Sequence, residues 1–103
     1  MDHVRRRAPR FPFIASAEFL SAEVGTRLRA RISDISATGC YVDTINPLLG
    51  GAVVRLKILT ETHVFEASAT VVYSHPHLGM DLMFGEVLPN SKDVLQNWLP
   101  LAS

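Results

Sequence analysis

Cysteine is almost missing from this chain: Cys40 is the only one in 103 residues, so no internal disulfide can form, and a reducing compartment such as the cytoplasm fits best. Long apolar runs are missing too. No window approaches the roughly 18 unbroken apolar residues of a membrane span. The segment from Phe11 to Phe19 is broken by Pro12, Ser16 and Glu18, which speaks against a signal peptide behind the N-terminal arginines. Net charge is also lacking, since ten basic side chains balance ten acidic ones. The balance is uneven along the chain. Arg5, Arg6, Arg7 and Arg10 against Asp2 give the first ten residues a net +3 and leave the remaining 93 at −3. A short basic arm on a near-neutral body is a local anion site, unlike the broad basic surface of a duplex-DNA binder. What the chain does have is apolar content, 48% of its residues, enough for the core of one domain.

Most of the chain alternates with period two, the signature of half-buried strands. Phe13, Ala15, Ala17 and Phe19 share a parity; so do Leu28, Ala30 and Ile32, with Arg27, Arg29 and Arg31 on the outer side. Cys40-Tyr41-Val42 is a short β-prone run. Val54, Leu56 and Ile58 alternate again, as do Phe65, Ala67, Ala69, Val71 and Tyr73, and then Met80, Leu82 and Phe84. Turn signals at Val24-Gly25, Leu49-Gly50-Gly51, Thr60-Glu61-Thr62 and His75-Pro76-His77 separate the runs. Six short antiparallel strands at this spacing imply an all-β fold, a small closed barrel without exposed edges. Only the C-terminus reads as helix, over 90–100. Asn90 or Ser91 is the expected cap, Asp93 suits the first turn, and Val94, Leu95 and Trp98 form the stripe that would plug one barrel mouth. The expected division is a mobile arm at 1–11, a barrel at 12–86 and the helix.

Two stretches have residue types suited to a nucleotide. Arg6 and Arg10 stand four apart, flanked by Arg5 and Arg7, and Pro9 and Pro12 disfavour a helix there. A planar guanidinium can grip phosphate oxygens or the O6/N7 edge of guanine with two bonds, yet a solvated charged tail has the same composition. Asp34-Ile35-Ser36-Ala37-Thr38-Gly39 follows a strand, and its carboxylate could accept from guanine N1–H and N2. Taken alone, the same residues more readily close a turn on their own backbone. Asp34 shares the parity of Ile32 and should lean inward unless the ladder breaks before it. No nucleophile–base pair is visible, so no catalytic residue is expected and the chain is not read as an enzyme. His75 and His77 lack the partners of a metal site, and neither metal nor cofactor is expected. Cys40 reads as a buried small hydrophobe.

Arg6-Arg7-Ala8-Pro9-Arg10 resembles the Arg-x-x-x-Arg motif of PilZ domains, and Asp34 to Gly39 matches their (Asp/Asn)-x-Ser-x-x-Gly motif in full. Gly39-Cys40-Tyr41-Val42 and Leu78-Gly79-Met80-Asp81-Leu82-Met83-Phe84 resemble further strands of that family, so the likeness runs from about residue 5 to residue 100. The resemblance implies a PilZ-like barrel that binds the bacterial second messenger cyclic di-GMP. Arg6 and Arg10 would grip phosphates and guanine edges, Asp34 and Ser36 would address a guanine, and Gly39 would let the ligand lie against the backbone. Arg7 flanks the motif. Arg5 precedes it, where in similar proteins an arginine accompanies a stacked pair of ligand molecules. A downstream protein partner is implied; DNA binding and membrane insertion are not. Two rivals remain: a PilZ-like adapter that binds proteins and no nucleotide, and a small barrel that uses its arm on single-stranded nucleic acid. The second lacks a run of outward aromatics for base stacking.

Overall fold

A computed structural model describes residues 8–21 and 25–100. Six strands follow one another: β1 (Phe11–Ser21), β2 (Arg27–Ile35), β3 (Gly39–Asp43), β4 (Val53–Leu59), β5 (Val64–His75) and β6 (Gly79–Val87). Among the described residues one helix, α1 (Pro89–Trp98), comes last. Every pairing is antiparallel, and the strands close into a barrel in the order β1-β2-β3-β6-β5-β4. Closure satisfies both edges of every strand, which is how so small a sheet avoids a free edge.

The alternating residues fill the barrel. Ala15, Ala17 and Phe19 of β1, Ile32 of β2, Val54, Leu56 and Ile58 of β4, Phe65 to Val71 of β5 at odd positions, and Met80 and Leu82 of β6 are all buried. Arg27, Arg29 and Arg31 stand outside, as their parity requires. Of the register slips in the sheet, two redirect side chains near the motif. The β2–β3 register slips between Ile32 and Asp34, so Ser33 is an extra residue and the next inward side chain is Ile35. Asp34 therefore does not lean into the core; the ladder breaks immediately before it. A second slip, between Val71 and Tyr73, turns Tyr73 outward, where it is 56% exposed in place of the expected inward position.

The boundaries also move. Phe11 already pairs with Ile35 and Pro12 with Asp34, so the barrel begins one residue earlier than expected and the arm ends before it; β6 runs on to Val87. Arg5, Arg6 and Arg7 lie outside the described residues. The helix starts at Pro89 with Leu88 as its N-cap, and no side chain caps it. Proline lacks the N–H that a cap would satisfy, and its fixed φ suits the first turn. Asn90 and Ser91 are thus inside the helix, and no acidic residue lies in its first turn, which leaves Asp93 beyond it. Ser91 instead accepts the Glu66 N–H at 2.7 Å and ties the helix to β5. Trp98 packs on Phe13 at 4.9 Å and on Phe65 at 6.1 Å between ring centroids, with Leu95 buried beside them, so the stripe covers the barrel as expected. No helix among the described residues is long and apolar enough to cross a membrane.

Candidate ligand-binding groove

The bulge at Ser33 and the turn after Ile35 decide where the motif points. Ser36 is buried, and its hydroxyl accepts from the N–H of Thr38 at 3.1 Å and of Gly39 at 3.0 Å while donating to the Gly39 carbonyl at 3.2 Å. Its own N–H reaches the same carbonyl at 2.8 Å. Ser36 is therefore the clasp of the turn. Gly39 is constrained by packing: a Cβ there would collide with the Leu82 carbonyl oxygen of β6. That close approach of β3 to β6 sets the floor beside the turn.

Asp34 pairs across the ladder with Tyr41, Tyr41 with Asp81, and Asp81 with Tyr73. One row thus crosses four strands, with its two carboxylates separated by Tyr41. Arg10, one residue before β1, reaches over this row. Its Nη1 donates to Asp34 Oδ1 at 2.7 Å and its Nη2 to Asp81 Oδ1 at 2.7 Å. Burial works against the Arg10 charge, but the Asp34 hydrogen bond and the charges of Asp81 and Asp34 outweigh it, and the guanidinium is held above its ordinary value. Tyr41 leans away toward Gly79, and its hydroxyl lies 3.1 Å from His75 Nδ1. Burial, with the negative charges of Asp43, Asp81 and Asp34 around it, raises the Tyr41 phenol. Cys40 behind the row is fully buried. Burial pushes its thiol strongly upward and the Asp34 charge adds to this, so it is inert.

A groove of about 230 Å³ opens beside this cluster. Arg10 and Asp81 form one side, Ser36 and Thr38 of the turn another, and Val72 and Met83 an apolar wall, Met83 being 53% exposed. The fold thus brings Arg10, Asp34, Ser36 and Gly39 to one rim. Asp81, Val72 and Met83 were not singled out in the sequence. A carboxylate inside the apolar run Met80-Asp81-Leu82-Met83-Phe84 was the available signal for the first; the bulge that exposes Val72 left none. No three His, Cys, Asp or Glu side chains among the described residues group as a metal site.

Six strands closed around a side-chain core, with a polar cluster gathered outside one rim, define a small barrel domain whose chemistry faces outward. Residues 4–99 match the PilZ domain family model, and the chain belongs to that family. No curated protein matches the sequence. Among solved structures, the Bacillus subtilis inhibitor of motility MotI/DgrA superposes with a TM-score of 0.71 at 24% identity, over 91% of this chain and 48% of that one. The chain therefore spans about half the length of that protein. The PilZ domain of CeSA from a cellulose-synthesizing bacterium gives 0.65 at 14% identity, covering 87% of this chain and 93% of its own. The PilZ domain of Escherichia coli YcgR, solved with c-di-GMP, gives 0.65 at 19% identity over 89% and 86%. These likenesses establish the fold.

Proposed function

We propose that this chain is a cytoplasmic, non-enzymatic receptor for cyclic di-GMP, binding it in the groove between the arginine arm and the Ser36 turn. The observation that carries the reading is the meeting of Arg10 and Asp34 at 2.7 Å, 24 residues apart in sequence and each the described end of one motif. The two groups are complementary to guanine in opposite senses. A carboxylate accepts from N1–H and N2, and a guanidinium donates to O6 and N7. Adenine offers neither pattern, so cyclic di-AMP should bind more weakly. Ser36 acts indirectly by holding the turn, and Gly39 by letting β3 approach β6. Arg5, Arg6 and Arg7 supply the remaining cations for the phosphates, with Arg5 as the residue that would receive a second, stacked ligand molecule. Ligand then draws the arm onto the barrel and creates a surface for a downstream protein. Calorimetric titration with cyclic di-GMP and cyclic di-AMP tests the reading: clear preference for the guanine ligand is expected, and equal affinities would remove Arg10 and Asp34 from base readout.

One feature favours the adapter reading enough to keep it in view. Arg10 and Asp34 satisfy each other without ligand, and a barrel that never exchanges them would act through protein contacts alone. Absence of any heat with either dinucleotide would select it.

A further inference from the structure

Arg10 is held by two carboxylates that are not equivalent. The Asp34 side chain is 30% exposed and stands at the bulge next to the turn, whereas the Asp81 side chain is 12% exposed and sits on β6 between Tyr41 and Tyr73 of the neighbouring strands. Both pairs are 2.7 Å long, so burial and not distance ranks them. Attraction between charges scales inversely with the local dielectric, and water competes for the more exposed acceptor. The Asp34 arm of the fork is the weaker one.

From this asymmetry we infer that Asp81 is a positioning residue: it keeps hold of Arg10 at the groove mouth while an incoming guanine edge takes the place of Asp34 on the guanidinium. The inference rests on the cyclic di-GMP reading of the groove and adds how that site opens. A site with vacant groups would capture its ligand. Here Asp34 and Arg10 occupy each other, so each must be released before it can meet a base. If both carboxylates let go together, the more buried ion pair would be broken as well, which costs more. Exchange at Asp34 alone avoids this. The guanidinium pivots on Nη2, which stays on Asp81, and Asp34 is freed at the same moment to accept from the guanine N1–H. Asp81 also keeps the Arg10 charge largely balanced, which favours a neutral acceptor such as guanine O6 or N7 over a phosphate. The raised Arg10 value fits a guanidinium already held by carboxylates before any ligand arrives.

The test reads Arg10 directly. In the free protein, nitrogen-15 NMR of the Arg10 guanidinium should show slow rotation in the wild type and in Asp34→Asn, and fast rotation in Asp81→Asn. Calorimetry should then show cyclic di-GMP binding weakened by about ten-fold in Asp81→Asn, the order of one partly exposed charge-assisted hydrogen bond. In an Arg10→Ala background Asp81→Asn should cost clearly less than it does in the wild type, because the residue acts through Arg10. Equal rotation in wild type and Asp81→Asn, or release by Asp34→Asn as complete as by Asp81→Asn, overturns the anchor. So does a full additional loss in the Arg10→Ala background. Slow Arg10 rotation that depends on Asp81, in a wild type that binds no cyclic di-GMP, upholds the anchor and overturns the ligand reading. Should Asp81→Asn fail to fold, Arg10→Lys replaces it. One ammonium cannot fork between both carboxylates, so affinity should fall about ten-fold at an unchanged melting temperature, and unchanged affinity overturns the proposal.

Discussion

At the scale of single residues, the site depends on a few polar groups whose partners are short and directional. Truncating Arg10 or Asp34 to alanine removes a charge-assisted hydrogen bond of roughly 1.5–3 kcal/mol, and under the proposed function losing one or two should lower cyclic di-GMP affinity about ten- to several-hundred-fold. Arg29→Ala is the control. Its side chain is 82% exposed farther along the outer face of β2, 3.5 Å from Glu18, and calorimetry should register little change. A loss equal to that of Arg10→Ala would move the site along β2 to its arginine row. Cys40 gives an independent check on the core behind the row. With its thiol buried and its ionisation suppressed, iodoacetamide should label it only at the rate of unfolding, as read by mass spectrometry.

At the scale of elements, the β2–β3 turn and the strand crossing beside it are structural before they are anything else. Ser36→Ala leaves the buried Gly39 N–H and the Thr38 N–H without their acceptor and should cost about 1–3 kcal/mol in denaturant unfolding. Its effect on ligand affinity should follow from loosening of the turn, so cyclic di-GMP itself should partly restore the melting temperature. Gly39→Ala is a different kind of change. The new methyl meets backbone in β6 that cannot swing aside, and the overpacking should cost about 1–3 kcal/mol or more. An alanine variant of undiminished stability would show that the two strands part more easily than their packing implies.

At the scale of the whole molecule, closure and the plug set stability, and the proposed response belongs to the arm. Trp98 lies half-buried over Phe13 and Phe65, so Trp98→Ala should destabilise by about 2–3 kcal/mol, below the range for fully buried aromatics. These rings do not line the proposed ligand groove, and affinity should hold wherever the variant remains folded. Ligand-driven ordering of the arm predicts that amide exchange in the first ten residues slows on adding cyclic di-GMP. The effect should shrink as salt screens the arginines. Identical exchange with and without ligand would mean a preformed site and no switch.

The sequence by itself determined the barrel and the motif. Period-two alternation sorts side chains between core and solvent, because one strand face must leave water wherever a sheet closes, and that pattern is written locally in runs such as Val54-Leu56-Ile58. It also marked Arg10, Asp34, Ser36 and Gly39, since their residue types and order suffice for recognition. Ser36 and Gly39 were legible as motif residues but not as the clasp and the close crossing, which depend on where β6 passes. The helix start was misplaced because capping side chains are read by type, while Ser91 was already committed to the Glu66 N–H of a distant strand. Tertiary structure alone decided the outward turn of Tyr73 and the orientation of Asp34, because a bulge inserts one residue and inverts every parity beyond it. It alone also placed Asp81, 71 residues from Arg10, within hydrogen-bonding reach, because strand order and register set that distance and neither is visible along the chain.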